Sequence, residues 1–170
     1  MLAADLRAKA KLNYESESRA AILKTLATDG TMSMVLYRLM QGSREIGATP
    51  LELLFNKLNS SLGNCVIGRG AEFGPGFVIF HSSGVVINGR VKGGENVHLN
   101  HEVTIGSDDI EGGVPVLGSN IHIGAGAKII GDVEVGDGAR VGANAVVVKN
   151  VDAHTTVVGI PAREVRRRQS

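Results

Sequence analysis

His81 is the side chain in this sequence best placed for acid–base chemistry. It follows the aliphatic Ile79 by two residues, and this offset predicts a side chain that points outward at or beside a turn. An imidazole changes charge near a pKa of about 6.5, so an outward-facing histidine on a rigid element is suited to act as a general base. Because most exposed histidines are simply solvated, position alone makes His81 a candidate.

Two further groups could do chemistry. The single thiol, Cys65, has no basic neighbour that would stabilise a thiolate, so we interpret it as a small packing residue. A lone cysteine also excludes an internal disulfide. The C-terminal segment 161–170 is rich in arginine. Arginine suits phosphate binding, but a solvated chain end explains this segment equally well.

The elements that must position these residues show a six-residue period after Gly63. Aliphatic or aromatic residues recur at every sixth position in two runs, at Ile67, Phe73, Ile79, Val85, Val91, Val97 and Val103, and at Leu117, Ile123, Ile129, Val135, Val141 and Val147. Small residues often stand four places later, as at Ala71, Ser83, Ala127, Ala139 and Ala145. A repeat this short is one strand and one turn, and it buries its apolar residue only by stacking on the next coil. We therefore predict a mainly β protein, a parallel β-helix with three hexads in each coil.

The two runs are out of step with each other. Val103 and Leu117 are fourteen residues apart rather than twelve, and the segment from Ser107 to Gly113 lacks the repeat pattern. We expect residues 106–116 to form a loop that leaves the β-helix. A loop on a stiff repeat scaffold is a natural place for chemistry.

Residues 1–62 show helical spacing instead, with apolar side chains three and four positions apart between residues 34 and 40. The second helix is predicted to begin near Thr31 or Ser33, and another follows Thr49-Pro50, since proline favours the first turn of a helix. The predicted organisation is a helical region at 1–62, a β-helix at 63–160 and a basic tail at 161–170.

Composition and charge exclude several classes of protein. The chain has 170 residues, 43% of them hydrophobic, which suffices for one domain with an appendage. Its 18 basic and 17 acidic residues leave a net charge of +1, so no overall field favours nucleic acid. No signal peptide and no apolar stretch of about 20 residues is evident. We expect a cytoplasmic protein without a membrane span.

Several motifs resemble those of a known family. From about Met34 to Arg166 the chain is similar to bacterial serine acetyltransferases and to the related sugar O-acetyltransferases of capsule and exopolysaccharide synthesis. The similarity is strongest at Val85-Val86-Ile87, Val103-Thr104-Ile105-Gly106, Ile123-Gly124-Ala125-Gly126-Ala127-Lys128-Ile129 and Gly159-Ile160-Pro161-Ala162-Arg163. The resemblance implies that the β-helix is left-handed.

The resemblance also implies an activity. The general base of serine acetyltransferases is the histidine of an Asp-His pair just before a Gly-Val-Val-like strand, and this histidine corresponds to His81. His81 would remove the proton of an acceptor hydroxyl, which then attacks the thioester of acetyl-CoA. The protein is therefore expected to be an acetyl-CoA-dependent O-acetyltransferase.

Two departures from the family pattern bear on the acceptor. Phe80 stands where the family has the aspartate before the base, and Val114 aligns with its second active-site histidine. Both missing groups are associated with holding serine, whose charged groups bind poorly without partners. We therefore expect a saccharide hydroxyl as acceptor, with serine O-acetyltransferase of cysteine biosynthesis as the alternative.

For the co-substrate, the resemblance implies a groove between neighbouring β-helices. Ser107 and Ala125 would lie beside the pantetheine arm, and Lys149 and Arg163 near the phosphates of the coenzyme. A shared groove implies a homotrimer or a higher homo-oligomer.

Two other hypotheses belong to different classes. His98, His101 and His122 could hold zinc with His81, as in prisms of this repeat type that are carbonic anhydrases. Those enzymes have four residues between their paired histidines, whereas His98 and His101 have two between them, so no metal is expected. The other alternative is a trimeric scaffold or binding prism that has lost catalysis.

Overall fold

The computed structural model describes residues 1–165, which form four helices followed by fifteen short strands. The predicted basic tail lies partly outside this range, since Arg166, Arg167 and Arg168 are not described. The helices are α1 Leu2–Tyr14, α2 Arg19–Leu26, α3 Thr31–Glu45 and α4 Thr49–Leu62.

The helices begin and end where local residues permit. Glu15 ends α1 in a left-handed conformation with φ of 53°, and the Ser18 side chain caps α2 by accepting the Ala21 N–H. This break was not predicted, so the helix that begins at Thr31 is the third rather than the second. Helix α4 begins at Thr49, with a proline in its first turn.

Strands of two or three residues follow one another around a triangular coil, and equivalent strands of successive coils pair in parallel. Within residues 1–165 three sheets result, in the orders β1-β4-β7-β10-β13, β2-β5-β8-β11 and β3-β6-β9-β12-β14-β15, and among these strands only β15 runs antiparallel to its neighbour. The strands are β1 Cys65–Ile67, β2 Glu72–Phe73, β3 Val78–Ile79, β4 Val85–Ile87, β5 Lys92–Gly93, β6 His98–Leu99, β7 Thr104–Gly106, β8 Val116–Leu117, β9 His122–Ile123, β10 Lys128–Ile130, β11 Glu134–Val135, β12 Arg140–Val141, β13 Val146–Val147, β14 Thr156–Val158 and β15 Arg163–Glu164.

The coils differ in length, which the six-residue count did not show. Lys128 pairs with Val146, eighteen residues on, as three hexads require. Val78 pairs with His98 after twenty residues, and His98 with His122 after twenty-four. The chain therefore has two extra residues in the corner between β3 and β4, and six in the loop between β7 and β8.

The corner insertion changes the place of the following valines in the coil. Ile87, not Val85, pairs with Ile67, while Val85 pairs with Cys65. All thirteen residues of the two predicted runs are buried. The sequence hid the shift because valine at positions 85, 91, 97 and 103 fills a second core position, which alanine occupies at 71, 127, 139 and 145. Ser83 was wrongly placed in this second set, because it lies in the insertion and is exposed.

Aromatic packing joins the helices to the first coil. The Tyr37 ring contacts Phe73 and Phe77 edge-on, with centroids 6.1 and 5.3 Å away. Its hydroxyl donates to the Ala71 carbonyl and accepts the Phe73 N–H, both at 3.1 Å. Cys65 is buried nearby in the same core, and burial raises the pKa of its thiol to about 12. This fits a packing residue rather than a nucleophile.

A buried ion pair makes a second connection between helices and coil. Arg38 Nε donates to Asp5 Oδ2 at 2.6 Å, and the guanidinium also donates to the Phe73 carbonyl at 2.8 Å. Asp5 Oδ1 accepts the N–H groups of Gly76 and Phe77 at 2.8 and 3.0 Å. The pair thus ties α1 and α3 to the turn before β3.

Within residues 1–165, no helix is both long and apolar enough to cross a membrane.

Removing one partner of the buried pair should destabilise the fold. Arg38→Met leaves the Asp5 carboxylate buried without its counter-charge, so we expect the free energy of unfolding to fall by about 3 kcal/mol. Urea denaturation at fixed protein concentration measures this. Arg7→Met, at an exposed arginine of α1, the helix that carries Asp5, is the control and should change stability by less than about 0.5 kcal/mol. An equal effect of both variants would contradict the prediction.

Candidate active site

The two extra residues between β3 and β4 form an outward corner, and His81 lies on it. More than half of the His81 side chain is exposed, at 58%. In a coil of eighteen residues the chain would return directly to the sheet at this corner, whereas the two extra residues make the corner project from it. The insertion therefore explains how a core-forming repeat presents an imidazole to solvent.

Asp29 is the partner of His81. Its Oδ2 atom lies 3.0 Å from His81 Nδ1, although the two residues are 52 positions apart in the chain. A carboxylate at this distance favours the tautomer with the proton on Nδ1, which leaves the Nε2 lone pair free to accept a proton. Exposed ion pairs contribute little stability. The Asp29–His81 pair therefore serves mainly to orient the imidazole.

The surroundings of Asp29 keep its carboxylate ionised. Partial burial works against the charge, but hydrogen bonds from His81 and from the Gly30 N–H, at 2.7 Å, together lower the pKa of Asp29 below its usual value. An ionised partner stabilises the imidazolium that forms when His81 accepts a proton. The pair therefore has the arrangement of a general base and the group that orients it.

Gly30 allows the helical region to reach this corner. Its φ is +74°, and a Cβ at this position would lie 2.3 Å from the Ile79 carbonyl oxygen. Only glycine combines this conformation with so close an approach. The turn before α3 therefore rests directly on the strand that leads to His81.

Sequence reasoning missed Asp29 because nothing local marks it. The segment Asp29-Gly30 before a helix signals a turn, but a contact over 52 residues depends on how the helices dock.

Of the three other histidines named above, His101 lies beside His81. The ring of His101 lies 5.9 Å from that of His81, one coil further on.

His98 and His122 form a separate, partly buried row beside Phe80. They are paired in register on β6 and β9, and the Phe80 ring lies 6.4 and 6.3 Å from theirs. Burial, reinforced by His122, lowers the pKa of His98 to about 4, and its Nε2 atom has no hydrogen-bond partner in the described chain. Burial and the nearby Arg140 also lower the pKa of His122. Among residues 1–165, no group of three or more potential ligands is arranged to hold a metal ion.

The two residues that departed from the family pattern are both partly buried. Phe80 and Val114 pack against the edge of the hydrophobic core. Neither supplies a polar group. The carboxylate beside His81 comes instead from Asp29, in the helical region.

The predicted coenzyme residues fall in different places. Lys149 and Arg163 line one cavity of about 310 Å³ at the C-terminal end of the β-helix, where Arg163 lies on β15. Ser107 is at the start of the loop between β7 and β8, where its hydroxyl bonds the Asp109 carbonyl. Ala125 is at a corner and accepts the Asn144 N–H at 2.8 Å. The structure thus brings together the first two but not all four.

Comparisons with known proteins agree with this architecture. Residues 115–149 match the bacterial transferase hexapeptide family model, which describes six repeats. Together with the paired His81 and Asp29, the fold defines a hexapeptide-repeat transferase, and its β-helix is left-handed, as predicted.

The particular family follows from longer matches. A serine acetyltransferase of Synechococcus elongatus is 32% identical over 168 residues, which cover 98% of this chain and 68% of that protein. The crystal structure of the Neisseria gonorrhoeae serine acetyltransferase superposes with a TM-score of 0.87 at 30% identity, covering 99% of this chain and 66% of that one. The Brucella abortus enzyme in complex with coenzyme A has a TM-score of 0.84 at 27% identity, covering 96% of this chain and 66% of that one. The chain belongs to the serine acetyltransferase family.

These matches overturn one expectation. A saccharide acceptor was inferred from Phe80 and Val114, but the curated relatives and the solved structures are consistently serine acetyltransferases. The inference was wrong because the absence of polar groups at two positions does not by itself identify the acceptor. The chain spans 46 to 58% of the length of three other curated relatives that it matches.

The low pKa of His98 predicts acid sensitivity. The unfolded chain protonates this histidine near pH 6.5, whereas the folded protein does so at about 4, so the unfolded state takes up the proton first as the pH falls. Stability should therefore decrease between pH 6.5 and 4. When the pH falls from 7 to 5, the free energy of unfolding of the wild type should decrease by about 2 kcal/mol more than that of His98→Gln. Urea denaturation at both pH values, with the exposed His154→Gln as control, tests this; identical pH dependence in all three proteins would refute it.

Proposed function

We propose that the protein transfers the acetyl group of acetyl-CoA to the hydroxyl of L-serine, releasing O-acetylserine and CoA. Its membership of the serine acetyltransferase family supports the acceptor and the co-substrate. The single structural observation that carries the proposal is the 3.0 Å contact between His81 Nδ1 and Asp29 Oδ2 at an exposed corner. This contact leaves Nε2 free to act on a bound hydroxyl.

The reaction follows from this geometry. His81 Nε2 takes the proton of the serine hydroxyl while that oxygen attacks the thioester carbonyl carbon. The resulting tetrahedral oxyanion collapses, the carbon–sulfur bond breaks, and the imidazolium returns the proton to the CoA sulfur. Asp29 stabilises the imidazolium throughout. Backbone N–H donors near the carbonyl would stabilise the oxyanion.

For the co-substrate, the cavity that Lys149 and Arg163 share supports a phosphate subsite. Two cations at one cavity attract the phosphates of coenzyme A, and guanidinium is suited to bidentate phosphate binding. In this proposal Ser107 and Ala125 lie further along the pantetheine arm. A solved relative bound to coenzyme A supports this class of ligand.

We also propose that the functional unit is a homotrimer. Val66 and Val86 stand side by side on the outer face of the first sheet and are 45% and 43% exposed. A neighbouring β-helix would cover these valines and close a groove near the His81 corner.

Within each chain, region 1–62 supplies Asp29 and region 63–160 supplies His81. Because acetyl-CoA is available in the cytoplasm, we place the protein there.

The acceptor and the base can be tested together. Free-thiol release from acetyl-CoA should depend on L-serine, and His81→Ala should lower kcat by roughly 10²-fold or more, because the proton acceptor is lost. The exposed His154→Ala is the matched control and should leave kcat unchanged. No release with serine from the wild type would refute the proposal, and serine-dependent release that survives His81→Ala would refute the role of the base.

The phosphate subsite predicts a change in KM without a change in kcat. Lys149→Ala and Arg163→Ala should each raise the KM for acetyl-CoA by roughly tenfold, since each removes an ionic contact made equally in ground and transition states. Steady-state kinetics at saturating serine measures both constants. Lys92→Ala, an exposed lysine of β5, is the control. An unchanged KM in both test variants would show that the coenzyme phosphates bind elsewhere.

A further inference from the structure

Lys9 is a fully buried lysine, with 0% of its surface exposed, on helix α1. Lysine is almost never completely buried without a specific partner. Burial lowers the pKa of this amine to about 8, although the negative charge of Asp29 works in the opposite direction. The protein therefore retains a group whose charged form is destabilised by its surroundings, where an apolar side chain of similar length would fit the core without that penalty.

The contacts of Lys9 converge on the two segments that form the active-site pair. Its Nζ atom donates hydrogen bonds to the carbonyl oxygen of Asp29 and, at 2.8 Å, to that of Ile79. The first carbonyl belongs to the residue that orients the base. The second lies two residues before His81, at the end of β3.

These two segments also touch each other directly. Gly30 fits against the Ile79 and Phe80 carbonyls with no room for a Cβ. At this junction two chain segments 50 residues apart bring backbone carbonyls together. Backbone carbonyls buried at such a junction need a hydrogen-bond donor, and the Lys9 ammonium donates to one carbonyl of each segment.

We propose that Lys9 is a positioning residue that fixes the distance between Asp29 and His81 by binding the carbonyls of both supporting segments. It touches neither the acceptor nor the thioester, and acts only through Asp29 and the backbone that leads to His81. The kinetic part of this inference rests on the proposed serine acetyltransferase activity.

The test variant is Lys9→Met, which keeps the length of the side chain and removes its donors. We expect kcat to fall by roughly ten- to a hundredfold, because small misplacements of a catalytic group have effects of this size, while the KM for acetyl-CoA stays unchanged. Lys9→Gln, which keeps an amide donor, should give a kcat between those of the wild type and Lys9→Met.

Asp5→Asn is the matched control. Asp5 is also fully buried on α1 and also anchors that helix to the β-helix, but its contacts are with Arg38, Gly76 and Phe77. This variant should lower the thermal midpoint and leave kcat per folded molecule unchanged. A kcat for Lys9→Met that matches that of Asp5→Asn would overturn the proposal.

A double-mutant cycle separates positioning from general destabilisation. If Lys9 acts through Asp29, adding Lys9→Met to Asp29→Asn should cause little further loss of kcat, because the interaction is already broken. Multiplicative losses would show that Lys9 acts independently of the pair, and would overturn the inference.

A readout that does not need activity completes the test. In ¹⁵N NMR spectra of the imidazoles, the wild type should show His81 as the Nδ1–H tautomer with its proton in a hydrogen bond, and Lys9→Met should show loss of that signature. An unchanged His81 signal in Lys9→Met would refute positioning. If the wild type does not acetylate serine but the NMR change is seen, the proposed function fails and the role of Lys9 stands.

Discussion

Pairing between successive coils is the constraint on which the rest of this structure depends, because strands of two or three residues cannot be stable by themselves. Each coil satisfies its backbone groups and buries its inward side chains only against the coils above and below. The pairing fixes where every residue of a coil must point. It also determines that extra residues can be accommodated only at corners, where they leave the stack without disturbing it.

The candidate active-site pair, His81 and Asp29, depends on this constraint. Two additional residues at the corner after β3 lift His81 away from the sheet, while Ile79 and Ile87 keep their places in the core on either side. The corner is rigid because both flanking strands are paired. The imidazole on this corner has a partner from outside the β-helix, because the turn before α3 carries Asp29.

Buried polar groups connect the helical region to the β-helix at both ends of β3. The Asp5–Arg38 pair fixes the helices to the turn before β3, and Lys9 fixes the turn before α3 to the end of β3. Hydrophobic contacts, such as those around Tyr37, are tolerant of small shifts, whereas hydrogen bonds with buried carbonyls are directional. This combination explains how a helical region with a largely exposed surface can hold a side chain to within hydrogen-bonding distance of His81.

The sequence by itself determined the architecture and indicated His81 as the candidate base, because both follow from local patterns. A six-residue period specifies stacked coils wherever it occurs, and the residues around His81 carry the motif of the family. The period could not reveal the two-residue shift at Val85, since valine suits both core positions of a coil. Nor could two substitutions, at Phe80 and Val114, identify the acceptor.

Only the tertiary structure decided which residues meet across the chain. Asp29 and Lys9 have no repeat, motif or spacing that relates them to His81, and their contacts arise from the docking of α1 and α3 on the first coil. The meeting of Lys149 and Arg163 at one cavity likewise depends on β15 folding back along β14. Such contacts are set by packing and by the matching of buried donors with acceptors, which are properties of the folded chain as a whole.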